Sequence, residues 1–187
     1  MIWFSSDHHF DHANIIKYDN RPFSSVDEMN EEMVKRWNLR VLPSDIIYYL
    51  GDFSLNRAAL RFVKRLNGIK FLIPGNHDRC HPVHQNWEKE RGAYIVAGFA
   101  DILPVSELIG IGKHFIRLCH MPYRNENEFD VRYADIRPHD DGKWLLHGHV
   151  HTAWKVHGKM INVGACQWDY FPVSDLTIRE LIEGAAD

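Results

Sequence analysis

Ile69-Lys70-Phe71-Leu72-Ile73-Pro74-Gly75-Asn76-His77-Asp78 is a short apolar run that stops at Pro-Gly and then offers an amide, an imidazole and a carboxylate in succession. A run of that length bounded by turn residues reads as a buried strand. Gly75 lets the chain leave it sharply. The same grammar recurs four more times. Ile2–Ser5 runs into Asp7 and His9, Ile46–Leu50 into Gly51-Asp52, His114–Cys119 into His120, and Trp144–Leu146 into Gly148-His149-Val150-His151. Each piece delivers donors just beyond the carboxyl end of an expected strand, where ligands collect in open α/β folds. Asp7 and His9 stand two apart, as do His149 and His151, so an extended backbone would project both members of each pair the same way.

Helical signals separate the first strands. Ser25 and Glu28 form a capping box. Met29, Met33, Trp37 and Val41 then recur every fourth residue as one apolar stripe. Asn56–Leu66 reads as a second helix, stopped by Gly68. Strand and helix alternating this way predict βαβ units and a parallel sheet. Later the chain turns β-rich. Tyr94–Ile111 and His114–Cys119 read as strands joined at Gly110–Lys113, Val150–Lys159 as a hairpin, Met160–Val163 as a strand and Asp175–Ile182 as a closing helix. The expected class is α/β, a mixed β-sandwich flanked by helices. No repeat or linker divides the chain, so residues 1–187 are expected to form one domain.

Composition narrows the chemistry. The 187 residues are 45% hydrophobic and 25% charged, as an ordinary globular chain is. A net charge of -3 argues against a dedicated nucleic-acid-binding patch, although a nucleic acid stays open as a substrate. Three cysteines, Cys80, Cys119 and Cys166, form no Cys-x-x-Cys pair, which argues against disulfides and thiolate zinc and fits a reducing, cytoplasmic setting. Neither a signal peptide nor an apolar run of about 18 residues is present, so no membrane partner is expected. Oligomeric state is left open.

Asp-x-His, Gly-Asp, Gly-Asn-His-Asp, a lone His and Gly-His-x-His, in this order from residue 7 to residue 151, resemble the calcineurin-like metallophosphoesterase superfamily. The start Asp7-His8-His9-Phe10-Asp11-His12-Ala13-Asn14-Ile15-Ile16, with Arg21-Pro22-Phe23, is similar to its small single-domain branch from bacteria and phages. The resemblance implies two divalent metal ions. Asp7, His9, Asp52 and His151 would hold one; Asp52, Asn76, His120 and His149 would hold the other, with Asp52 bridging. Nitrogen and oxygen donors suit manganese, iron, zinc or nickel, with manganese favoured. A hydroxide shared by the metals would attack phosphorus in line. His77 would protonate the leaving group, and Asp78 would fix its tautomer. The expected activity is hydrolysis of a small or cyclic nucleotide-type phosphodiester.

Other residues invite lesser roles. His8 is expected to pack in the interior, and Cys119 likewise. His12 would sit at the site mouth, and Arg21, Arg79 and Arg124 lie where a guanidinium can grip a phosphate. Tyr123, Trp168 and Tyr170 could stack on a base. Competing readings are a phosphomonoesterase or nuclease of the same fold and a non-catalytic scaffold. A metallo-β-lactamase fold is a further rival, prompted by Asp7-x-His9-x-Asp11-His12 but offering no reason for Gly-Asn-His-Asp.

Overall fold

Alternation along the first strands decides which way the molecule layers. In a computed structural model describing residues 1–124 and 133–185, Trp3, Ile47, Tyr49 and Leu72 point to one face of a sheet, and Phe4, Tyr48 and Ile73 to the other. That sheet runs in the order β10-β1-β2-β3-β4, from β1 (Ile2–Ser5), β2 (Ile46–Tyr49), β3 (Ile69–Leu72), β4 (Asp101–Ile102) and β10 (Val173–Ser174). The first four are parallel and β10 is antiparallel. A second sheet has the order β5-β6-β7-β9-β8, from β5 (Ser106–Ile111), β6 (His114–Cys119), β7 (Trp144–His147), β8 (Val156–His157) and β9 (Met160–Asn162). Here β6, β7 and β9 are parallel, while β5 and β8 run antiparallel to their neighbours.

Two cores follow. Phe4, Leu50, Ile73, Ile116, Leu118, Leu146 and Ile161 fill the space between the sheets. On the outer face of the first sheet, helix α2 (Val26–Arg40) buries Met29, Met33 and Trp37. A 3-10 helix (Arg57–Arg65) adds Leu60, Phe62 and Val63. Helix α4 (Asp175–Gly184) sets Ile178 and Ile182 against the inter-sheet core. The fold is therefore α/β, a mixed two-sheet sandwich flanked by helices, as the strand and helix signals predict. No helix among the described residues is long and apolar enough to cross a membrane.

Several local expectations change. Residues Tyr94–Ala97 belong to helix α3 (Trp87–Ala97), not to a strand; Tyr94 is buried while Ile95 and Val96 face outward, and Gly98 at φ +118° ends the helix. The stretch after Asn56 is helical as read and takes the 3-10 form over Arg57–Arg65, with the Asn56 side chain accepting the Ala59 N–H. Ser25 does cap α2 by accepting the Glu28 N–H, but the Glu28 carboxylate reaches back to the N–H of Ser24 instead of closing the box on Ser25. A short helix α1 (Ala13–Tyr18) lies within the N-terminal motif and carries no strong apolar period. The expected 150–159 hairpin reduces to β8 and β9 turning at Gly158.

Candidate metal centre

Because β1, β2 and β3 are parallel, as are β6 and β7, their carboxyl ends open to one side. Ser6 bridges to Gly164, so the two sheets meet at that edge, and within the second sheet the His120 carbonyl accepts the Gly148 N–H at 3.0 Å. The donors do not arrive on extended backbone. Asp7 (φ 56°), His9 (51°), Asp52 (56°), His149 (70°) and His151 (46°) all adopt the left-handed region, which few non-glycine residues occupy. The two-apart pairs thus converge through a kinked chain, which corrects the extended projection expected for them. Backbone bonds hold the kinks: Asp7 donates to Gly51 at 3.0 Å and His9 to Asp52 at 3.2 Å.

Two glycines serve close approach here. A Cβ on Gly75 would lie 2.2 Å from Asp52 Oδ1, and one on Gly148 would lie 2.3 Å from Asp7 Oδ2. Neither has positive φ, so what they supply is room for a carboxylate rather than a special turn.

The donor atoms form two groups, Asp7-His9-His151 and Asp7-Asp52-His120, each with all its ligand atoms within 4.8 Å of one another. Asp7 is common to both. Asp52 stands between them, its Oδ2 3.3 Å from His120 Nε2 and 3.7 Å from His9 Nε2. His9 Nε2 and His151 Nε2 face each other at 3.3 Å, and the His149 ring lies 5.4 Å from that of His120. Asn76 supplies the test of fit. It is 3% exposed, and neither atom of its side-chain amide has a hydrogen-bond partner. An unpaired buried amide costs roughly 1–3 kcal/mol, and an oxygen-seeking dication would remove that cost. Clustered carboxylates, imidazole nitrogens and this amide fit divalent metal ions.

The charges agree. Burial keeps the His9 imidazole neutral and pushes that of His149 down to about 3. Burial also opposes charge on His120, yet the Asp52 carboxylate beside it pushes it up to about 10. Asp52 is held well below the ordinary carboxylate range, against its burial, chiefly by His120 and His9. The buried carboxylate and imidazole thus favour each other's charged forms, and metal binding would displace a proton from such a pair.

Around the donors, several roles differ from those expected. Asp78 is fully buried and does not reach the His77 ring; its carboxylate accepts the N–H groups of Asp52 (2.8 Å), Gly75 (2.9 Å) and Phe53 (3.1 Å). Arg21 is no phosphate grip. It is 4% exposed, and its guanidinium donates to the carbonyls of Asp7 and His8, both at 2.8 Å, and to Asp19. His8 packs inside, stacked on Phe10 with Nδ1 at 3.0 Å from the Tyr49 hydroxyl. Tyr123 and Tyr170 are buried, and one face of the Trp168 ring is taken by the Lys155 ammonium, 4.1 Å from its centre. Cys119 is buried in a small core with Met121 and Leu145.

At the mouth, His77 is exposed, its ring 5.7 Å from that of His9 and its N–H donating to Asp52 Oδ1 at 2.9 Å. His12 is half-buried, 5.9 Å from the His9 ring. Arg79 follows Asp78 on the surface, and Arg124 is exposed. Two contributors were not foreseen. His84 Nε2 lies 3.0 Å from the Asn76 carbonyl. Asp19, at the end of α1, meets His151 Nδ1 with Oδ1 at 2.9 Å and Oδ2 at 2.8 Å. Neither lies in a motif; the high count of thirteen histidines in the chain is the only sequence signal for His84, and Asp19 has none.

No family model matches the chain. An uncharacterized protein of Methanocaldococcus jannaschii is 35% identical over 193 residues, spanning 97% of this chain and 91% of its own. The gene 66 protein of Mycobacterium phage L5 is 32% identical over 180 residues, 89% of this chain and 86% of its own. Among solved structures, a protein of unknown function from Aquifex aeolicus superposes with a TM-score of 0.69 at 26% identity, covering 97% of this chain and 98% of the other. A novel archaeal phosphodiesterase gives 0.50 at 15% identity, covering 89% and 86%, a likeness of fold.

Proposed function

We propose that this chain, which belongs to the family containing the Methanocaldococcus jannaschii protein and the phage L5 gene 66 protein, is a two-metal phosphoesterase that hydrolyses a small or cyclic nucleotide-type phosphodiester. The observation that carries the reading is the pair of donor groups sharing Asp7, with the unpaired amide of buried Asn76 beside them. Asp7, His9, Asp52 and His151 would hold one ion and Asp52, Asn76, His120 and His149 the other, with Asp52 between them and manganese our first choice. When bound, such ions supply Lewis acidity and a water that ionises near neutral pH.

The chain's own side chains divide the remaining work. His77 is exposed beside His9, where it can give a proton to the departing alkoxide. Its backbone N–H donates to Asp52 Oδ1, which ties the loop carrying the acid to that carboxylate. His12, Arg79 and Arg124 are our candidates to meet substrate at the mouth. The withdrawal of Arg21 into backbone contacts bears on charge. It leaves fewer cations for a dianionic monoester than the sequence promised, and a monoanionic diester needs fewer.

The test is hydrolysis of bis-(p-nitrophenyl) phosphate against p-nitrophenyl phosphate by metal-stripped protein with manganese restored, and Asp52→Ala as control. Diester cleavage that requires both manganese and Asp52 is the expected result. Protein that binds manganese yet cleaves neither ester would remove the proposal.

A further inference from the structure

We infer that Asp19 is a positioning residue of the metal centre: it fixes the His151 ring with Nδ1–H toward its carboxylate, so that Nε2 is the nitrogen presented to the Asp7-His9 cluster. The inference rests on reading that cluster as a metal site.

Three observations carry it. First, both Asp19 oxygens lie within 2.9 Å of His151 Nδ1, while Arg21 approaches only Oδ2, at 3.2 and 3.3 Å. His151 is therefore the closer partner, and Asp19 is more than a counter-ion for a buried arginine. Second, with Nδ1 so engaged, His151 Nε2 sits 3.3 Å from His9 Nε2 and 3.7 Å from Asp7 Oδ1, facing the cluster. Third, the carboxylate is itself held. Its side chain is 7% exposed, the Asp19 N–H donates to Ile15 at 3.0 Å, Arg21 donates to it, and the Cys166 thiol lies 3.5 Å from Oδ2. Arg21 in turn grips the carbonyls of Asp7 and His8, so one guanidinium sets Asp19 and the Asp7 backbone relative to each other.

The other cluster is built differently. His120 Nδ1 lies 2.7 Å from the Leu50 carbonyl, a neutral acceptor. A carboxylate raises the basicity of the imidazole it holds more than a carbonyl does, and losing such a partner typically lowers metal affinity about 10–100-fold. Asp19 therefore acts on one ion of the pair.

Calorimetric titration of metal-stripped protein with manganese chloride tests this without any substrate. Wild type is expected to take up two equivalents. Asp19→Asn should weaken one of them about 10–100-fold and leave the other within about twofold. In a His151→Ala background, Asp19→Asn should add no further loss, because the residue acts through that ring. An additional loss there, or unchanged affinity in the single variant, overturns the inference and leaves the metal reading intact. Wild-type protein that takes up no manganese overturns both. Should Asp19→Asn fail to fold, nitrogen-15 spectra of the histidine rings in zinc-loaded wild type decide instead. Zinc on His151 Nε2 with a proton on Nδ1 is expected; zinc on Nδ1 refutes the inference.

Discussion

Asp78 accepts the Asp52 backbone N–H at 2.8 Å through the same carboxylate oxygen that accepts from Gly75, while its other oxygen takes the N–H of Phe53. It is a clamp on the loop that presents Asp52. An asparagine can face this set with only one oxygen, and its NH2 would oppose at least one buried N–H. Asp78→Asn should therefore cost about 1–3 kcal/mol of stability and reduce manganese uptake together. Urea denaturation and metal analysis check both. A variant as stable as wild type that has lost only turnover would return Asp78 to the tautomer-fixing role read from the motif.

His77→Ala separates acid catalysis from metal binding. The ring is exposed and belongs to neither donor group, and the backbone N–H that holds Asp52 survives the substitution. Manganese content should stay at the wild-type level while turnover of an aryl diester falls by roughly 10²-fold or more. Unchanged turnover would remove His77 from the reaction.

How far the sequence reveals this arrangement depends on range. Asp52 and Asn76 are visible because each donor directly follows a strand whose apolar run is visible too. The left-handed backbone at Asp7, His9, His149 and His151 is not, because Asp and His carry no local mark of it and the kink is imposed by partners such as Gly51, forty-four residues from Asp7. Asp19 and His151 meet across 132 positions with no spacing to announce them. The burial of Arg21 is hidden for the same reason: a cation beside a motif looks free until the chain folds over it. The triplet Tyr94-Ile95-Val96 has strand composition, yet only Tyr94 is buried, a pattern that helix α3 provides.

Arg21→Lys tests the burial of that guanidinium. The ammonium has no planar fork and cannot reproduce simultaneous bonds to the Asp7 carbonyl, the His8 carbonyl and Asp19. Leaving one or two of these buried acceptors unpaired should destabilise the protein by about 1–3 kcal/mol, with KM for a diester unchanged where the protein remains folded. A raised KM at wild-type stability would put Arg21 back at the substrate.

Asp45 gives the fold a pH dependence remote from the metal donors. It is 6% exposed, and its carboxylate accepts the Leu42 N–H at 2.9 Å, the Trp3 indole N–H at 3.0 Å and the Met1 amino group at 2.9 Å, tying β1 to the turn before β2. These contacts, the Leu42 N–H foremost, hold its carboxyl below the ordinary carboxylate value. A folded value below the unfolded one, about 3.9, means the unfolded chain binds the proton more readily. The stabilisation is therefore fully present above that value and is lost as pH falls through the lower folded one. Asp45→Asn should cost about 1–3 kcal/mol at pH 7, since one oxygen must then serve donors that two now share. The gap between wild type and variant in urea denaturation should narrow below about pH 4. An equal gap at pH 7 and in acid would mean that packing around the side chain, and not its charge, holds this corner of the sheet.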